Sequence, residues 1–335
     1  MSAALRLRLD GAALVANWRW LDAQSGAAAC GAAVKADGYG LGAREVVARL
    51  AEVGCRDFFV SSWDETVALG ALPEGCALSV LHGVREEDMP VALASKARPV
   101  LNTRAQVQRW RETGRPCDVM IDTGMNRLGL SASDDLSGLH IETLMSHLAC
   151  ADEDSAMNEA QRAAFVSLTT NAKRRSLANS AGVCLGYDYA FDLTRPGLAI
   201  YGGIARAEAA RHIAQVAHIE AQVIQRRPVR AGESVGYGAT YVAADDKAVA
   251  VLNIGYADGY RRVFTANGTA GGGRFAVLGR VSMDLLVVDV SSEPTINEGD
   301  WVSVDYDLAV ASAATGVSQY ELLTGLGARF DRVWR

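Results

Sequence analysis

Lysine is scarce in this chain. Of the 33 lysine and arginine residues only four are lysine, Lys35, Lys96, Lys173 and Lys247. Chemistry that needs a side-chain primary amine therefore has four candidates. Long apolar runs are also missing, and no stretch approaches the roughly 18–20 residues that cross a bilayer. The opening MSAALRLRLDGAAL carries charges through its apolar positions, which makes a poor secretion signal. A cytoplasmic location and no membrane partner are the expectation. Positive charge is not in excess: the formal net charge of −6 argues against nucleic acid or an anionic membrane as the main partner. The six cysteines, Cys30, Cys55, Cys76, Cys117, Cys150 and Cys184, form no C-x-x-C pair and read as reduced packing residues. Five scattered histidines show no metal-ligand spacing, so no metal is expected.

What is present is ordinary globular composition, 335 residues with 50% hydrophobic and 21% charged, enough for one large domain or two smaller ones. Short β-like runs recur through the first two thirds: GAAVKA (31–36), DFFVSS (57–62), ALSVLH (77–82), RPVLN (98–102), CDVMID (117–122), ETLMSH (142–147), SLAN (176–179) and GLAIYG (197–202). Between most of them lie helical patterns such as GAREVVARLAEVG and TRAQVQRWRETG, while 123–141 and 181–196 read as irregular. Eight strands alternating with helices predict an α/β fold, a parallel (β/α)8 TIM-type barrel over residues 1–212. Continuous apolar strands suit it, because barrel strands are covered on both faces. From 213 to 335 the texture becomes β-rich, with glycine turns and one helical segment, YELLTGLGARF, and this predicts a mostly β second domain. The alternating LRLRLD at 5–10 is a candidate strand that the second domain can claim.

Working residues of such barrels sit at the C-terminal ends of the strands. Lys35 stands there, with an apolar approach and a glycine-rich exit. The other three lysines lie in NAKRRS, ADDKA and ASKARP, all solvated contexts. Asp122, Arg127, His147, Asn179 and Ser180 fall at the ends of strands five to seven or just after them, and Arg195, Gly197 and Leu198 open strand eight. The Ser180 hydroxyl and the amides of Gly197 and Leu198 offer anion donors near strands seven and eight, where these barrels usually hold phosphate. One lysine beside one phosphate site suggests pyridoxal phosphate held as a Schiff base. Blander readings stand beside these. A strand-end lysine also serves as a rim ion-pair partner, an Asn-Ser pair as a turn or helix cap, and a lone arginine as a surface ion-pair residue.

The motifs AAVKADGYGLG, DTGMNRLGL, MSHLACADE, ANSAG, TRPGLAIYGG, VGYGATY, NIGYADGYRR and GRVSMD occur in this order and span nearly the whole chain. The series resembles that of the alanine racemases. The resemblance implies a pyridoxal-phosphate isomerase with an N-terminal barrel, a C-terminal β domain and a head-to-tail homodimer that shares its active sites. It implies that L- and D-alanine are interconverted, supplying or consuming D-alanine for the cell wall. Lys35 would carry the cofactor and act on one face of the substrate Cα, and Tyr237 from the partner subunit on the other. His147 would link that tyrosine to Arg195, and Arg195 would face the pyridine nitrogen. Arginine donates and does not accept, so it limits charge spread into the ring. Tyr39, Asn179, Ser180, Gly197 and Leu198 would hold the cofactor. Arg127 and the amide of Met283 would hold the substrate carboxylate, with Tyr256 and Asp284 at the entrance. A free tyrosine, of pKa about 10, needs nearby cations to act as a base.

Three positions depart from the family pattern. Met120 stands where many members carry a carbamylated lysine that orients the arginine at 127, so Asn126 or an anion such as chloride would have to take over. Ala328 replaces a phosphate-binding tyrosine, and Leu41 a histidine. Alternatives are a racemase for serine, lysine or many amino acids, a decarboxylase of the same plan, and a non-catalytic cofactor-binding protein. No cysteine lies beyond Cys184, which weighs against the decarboxylase.

Overall fold

The computed structural model describes residues 4–265 and 267–335. The chain forms two compact units, one comprising Ala13–Ala214 and the other Gln215–Arg335 together with the chain up to Ala12.

The first unit is a parallel barrel. Ala32–Ala33, Asp57–Val60, Ala77–Val80, Arg98–Leu101, Pro116–Met120, His140–Met145 and Arg174–Ser176 pair in that order as one seven-stranded sheet. Helices follow the strands, among them Ala43–Glu52, Trp63–Leu69, Arg104–Arg111 and Ala156–Val166. Their starts are written in the sequence: the side chains of Ser62, Thr103 and Ser155 each cap a helix by accepting a backbone amide.

The eighth strand is not GLAIYG. Leu198–Tyr201 is a 3-10 turn with all four residues buried. The strand lies just ahead of it, at Leu193–Thr194, and pairs in parallel with Ala29–Cys30. Further bonds close the barrel on both sides of it, Gly31 N to Thr194 O at 2.9 Å and Arg195 N to Ala178 O at 2.8 Å. A short apolar run cannot be told from a buried helical turn by periodicity. Here Pro196, which has no N–H for a ladder, ends the strand before that run begins. Arg195 thus follows the eighth strand instead of opening it.

Strand Asp57–Val60 is buried at every residue. The interior is not wholly apolar. The Arg174 guanidinium donates to both oxygens of Asp57, at 2.9 and 2.6 Å, from a strand that is not its neighbour, so the pair runs through the barrel. Asp118, fully buried, accepts from the Ser79 hydroxyl at 2.6 Å and Arg98 Nε at 3.3 Å. Buried charges of this kind survive only when paired.

The second unit is built on the long strand Ala217–Val229. It pairs antiparallel with Leu5–Leu9, Lys247–Leu252 and Trp301–Val304, and Leu5–Leu9 pairs in parallel with Asp331–Trp334. The alternating LRLRL puts Leu5, Leu7 and Leu9 into the core. Two helices occur near the end where one was expected: Gln319–Thr324, which overlaps only the start of YELLTGLGARF, and Leu308–Thr315 ahead of it. The signal for the latter was present as Asp307, whose carboxylate caps Val310 N at 2.8 Å, and Gly316 at the other end. Among the described residues no helix is long and apolar enough to cross a membrane.

Candidate active site

Lys35 begins where the first barrel strand stops. Val34 N still bonds Phe59 O at 2.8 Å, and the chain then turns left-handed. Ala36, Asp37, Gly38 and Tyr39 have φ of 52, 51, 62 and 56° in succession. For a non-glycine residue this conformation costs roughly 1–2 kcal/mol, so three of the four need outside support. That support is visible. Asp37 Oδ1 takes Ala43 N at 2.8 Å, Gly38 N reaches Val34 O at 2.8 Å, and Gly42 N reaches Asp37 O at 2.9 Å. The Tyr39 ring stacks on Tyr201 with centroids 4.6 Å apart, and the Tyr201 hydroxyl donates to Ala33 O at 2.8 Å. Burial holds the Lys35 amine below the usual lysine range, and the charge of Arg127 adds to the effect while Glu65 opposes it.

Arg195 is buried, one guanidinium nitrogen donating to Ser146 O at 2.6 Å and another to the Ser176 hydroxyl. Burial brings it down to about 10, against the pull of Asp118, so it remains a cation at neutral pH. His147 is pushed down to about 3, first by burial and then by Arg195, Arg127 and Lys35. These influences gather Lys35, Arg127, His147 and Arg195 around one end of the barrel. His147 is therefore a neutral imidazole there.

Its pH consequence has a definite sign. Between about pH 6.5 and 3 the unfolded chain binds a proton at this position that the folded chain does not. Stability thus rises with pH through that window and is lost as pH falls, at about 1.4 kcal/mol per pH unit. His147→Gln is expected to flatten the slope by that amount in urea unfolding at stepped pH, and an unchanged slope would refute the assignment.

Ser180 Oγ accepts from the amides of Gly197, at 2.8 Å, and Ala199, at 3.2 Å. The Leu198 amide has no acceptor among the described residues. A Cβ at Gly197 would overlap the Tyr39 hydroxyl, so this turn requires glycine. Asn179 caps the helix Ser180–Val183, its Oδ1 taking Gly182 N at 2.8 Å.

Arg127 sits in a loop fastened by Asp122, whose Oδ1 accepts the amides of Gly124, Met125 and Asn126 at 2.8, 2.9 and 3.1 Å. Its own side chain is exposed and makes no hydrogen bond or ion pair among the described residues. Asn126 does not support it, because that amide donates to Gly124 O at 3.4 Å. Met120, the neighbour in question, is a buried apolar side chain.

The remaining candidates lie in the β unit. Tyr237 stands 64% exposed on a turn between the paired Ser234–Val235 and Tyr241–Val242, with Gly236, Gly238 and Ala239 all at positive φ. Tyr256 N bonds Ser282 O and Ala257 N bonds Met283 O, both at 3.0 Å, and a Cβ on Gly255 would overlap Met283 O. The Met283 side chain is exposed, and its amide has no acceptor among the described residues. Arg329 clasps this region: it holds the buried Asp258 through Nε and Nη2 at 2.7 and 2.8 Å and Asp284 through Nη1 at 2.6 Å. Arg262 lies over the Tyr256 ring at 4.9 Å.

Sequence reading missed Arg329 and Asp258, and it missed Ser146 and Ser176 as the partners of Arg195. A polar residue in the middle of an apolar strand, as in CDVMID, was the available signal for the interior network.

A closed β/α barrel with a half-buried lysine, a buried arginine and a glycine-bound amide turn at one end, joined to a β unit, defines a barrel enzyme for a small anionic ligand. The donor set also fits pyridoxal phosphate: an amine below its usual pKa, a permanent cation that can only donate, and amides packed under a tyrosine where no side chain fits. The family model described as alanine racemase, N-terminal domain, matches residues 9–205, and that of the C-terminal domain residues 216–334. An alanine racemase of Dinoroseobacter shibae is 42% identical over 346 residues, covering 99% of this chain and 97% of that one. The crystal structure of alanine racemase from Bartonella henselae with covalently bound pyridoxal phosphate matches at TM-score 0.91 and 32% identity, over 100% of both chains. That of the biosynthetic alanine racemase from Pseudomonas aeruginosa matches at TM-score 0.86 and 33% identity, also over 100% of both. The chain belongs to the alanine racemase family.

Proposed function

We propose that this chain interconverts L- and D-alanine with pyridoxal 5'-phosphate held on Lys35, as a cytoplasmic head-to-tail homodimer. The observation that carries the reading is Lys35 itself: a half-buried amine below its ordinary pKa, at the start of a left-handed turn at the barrel end that gathers Arg127, His147 and Arg195. When bound, the cofactor supplies an electron sink that acidifies the substrate Cα–H. The chain's residues supply the rest. The Leu198 amide, the Ser180 hydroxyl and Tyr39 would hold the phosphate, the Gly197 amide orienting that hydroxyl through its own bond to Ser180 Oγ, and Asn179 shapes the helix start beside it. Arg195 would donate a hydrogen bond to the ring nitrogen and cannot accept one from it, which would keep that nitrogen unprotonated and the sink weak and so favour returning the proton to Cα. Arg127 would hold the substrate carboxylate, joined by the partner subunit's Met283 amide.

Inversion at Cα requires a proton to leave one face and another to arrive at the opposite face. Lys35 Nζ serves one face and the partner subunit's Tyr237 the other. The exposure of Tyr237, Val242 and Met283 in the β unit supports a second copy of the chain covering them. Tyr256 and Asp284 flank the entrance.

The test is incubation with pyridoxal phosphate and L-alanine in heavy water, followed by chiral analysis. D-alanine carrying deuterium at Cα is the expected product. No D-alanine with alanine, but inversion of serine or lysine, would move the substrate and leave the mechanism.

The cradle makes its own prediction. Gly197→Ala forces a methyl group against Tyr39, an overpacking cost of about 1–3 kcal/mol. Cofactor affinity of the apoprotein is expected to fall roughly 10- to 100-fold in fluorescence titration, since about 1.4 kcal/mol is tenfold.

A further inference from the structure

We propose that Glu65 is a positioning residue for Lys35, clamping the strained turn that carries it and placing a negative charge beside it. The inference rests on the reading of Lys35 as the cofactor-bearing amine. Glu65 is the third residue of the helix Trp63–Leu69, capped by Ser62, whose hydroxyl accepts Glu65 N at 3.3 Å. A glutamate at this position ordinarily bends back to the amide of its own cap. Glu65 does otherwise. One oxygen accepts Ser61 N at 2.7 Å, at the end of the second barrel strand, and the other accepts Ala36 N at 2.8 Å. Ala36 directly follows Lys35 and is the first left-handed residue. One carboxylate therefore ties the end of the neighbouring strand to the first peptide beyond the lysine.

The other supports of the turn act further on, at Gly38, at Asp37 through Ala43, and at Tyr39. Glu65 alone among these side chains holds the peptide next to Lys35. The titratable groups around Lys35 are the cation Arg127 from the loop after strand five, the neutral His147 from the segment after strand six, with the cation Arg195 beyond it, and Glu65. Of these, Glu65 supplies the negative charge. Removing it leaves the amine among cations and buried surface.

The test compares Glu65→Ala and Glu65→Gln with Ser62→Ala, which removes the cap of the same helix and leaves Ala36 untouched. In the apoproteins, Lys35 is labelled by reductive methylation at stepped pH and read by peptide mass. In the reconstituted proteins, covalent cofactor on Lys35 is trapped with borohydride and its rate of formation measured. Both Glu65 variants are expected to move the labelling midpoint of Lys35 to lower pH, and Glu65→Ala to slow capture at least tenfold. Glu65→Gln keeps one carbonyl acceptor and should slow capture less. Ser62→Ala should lower the melting temperature without moving the midpoint. If the Glu65 variants lose only melting temperature, with midpoint and capture rate unchanged, Glu65 is a helix cap and the proposal fails. If the wild-type protein traps no cofactor on Lys35, the reading of Lys35 fails instead, and the labelling midpoint still decides whether Glu65 seats that side chain.

Discussion

Lys35→Ala is expected to abolish racemisation, by more than the roughly 10²–10⁴-fold that loss of one general acid–base group causes. It removes both the proton carrier on one face of the substrate and the covalent hold on the cofactor. No other lysine can stand in. Lys173 is exposed and paired with Glu142 at 2.7 Å. Lys247 lies in the other unit, between Asp245 at 3.2 Å and Asp289 at 3.3 Å, which hold its amine above the usual range. Lys96 is exposed in a loop behind the helix Met89–Ala94. None combines burial with neighbouring cations, the conditions that lower an amine's pKa and free its lone pair. The measurement is chiral analysis with D- and L-alanine, joined to borohydride trapping. The variant should trap no cofactor at any lysine. Adduct found at Lys96, Lys173 or Lys247 would overturn the assignment. Lys35→Arg should fare no better, because a guanidinium keeps its proton at neutral pH and offers no nucleophile.

Lys35 could be singled out in the sequence because composition had already reduced the candidates to four and only one had an apolar approach. The barrel was legible for a similar reason: its strands are short apolar runs spaced by helices with readable caps, and local pattern suffices for that. The eighth strand was misplaced because Leu198–Tyr201 is apolar and short, and nothing in four residues separates a covered strand from a covered 3-10 turn. The left-handed turn at 36–39 was only half legible. Gly38 and Gly40 announced a turn, but Ala36, Asp37 and Tyr39 adopt positive φ because tertiary bonds hold them there. The least legible features were partnerships over long sequence separation. Nothing in the sequence near Glu65 points to Ala36, because the bond between them spans 29 positions. Arg195 looked like a surface cation until its partners, Ser146 and Ser176, placed it inside the barrel. Tyr237 and Met283 were reached through their motifs; taken alone, an exposed tyrosine on a β turn and an exposed methionine carry no chemistry.

Tyr237→Phe is expected to cost on the order of 10²–10⁴-fold in racemisation while leaving cofactor content and folding unchanged. The ring stays, so packing of the turn against a neighbour is kept, and only the hydroxyl is lost. That hydroxyl makes no hydrogen bond to its own chain among the described residues and is well exposed, so it has no structural duty within the subunit. The effect should be unequal on the two faces. With the partner subunit's Tyr237 gone, Lys35 still removes and returns a proton on its own face. One enantiomer of alanine should therefore exchange its Cα hydrogen in heavy water without inverting, while the other does neither. Equal loss of exchange from both enantiomers would mean that one residue serves both faces. Full retention of racemisation would mean that Tyr237 serves neither. The same two variants test the shared site. A mixed dimer of Lys35→Ala and Tyr237→Phe subunits has one site carrying both defects and one carrying neither, provided lysine and tyrosine come from different chains. Coexpression should then restore activity that neither variant shows alone. If both residues came from one chain, every site in the mixture would carry one defect and no activity would return.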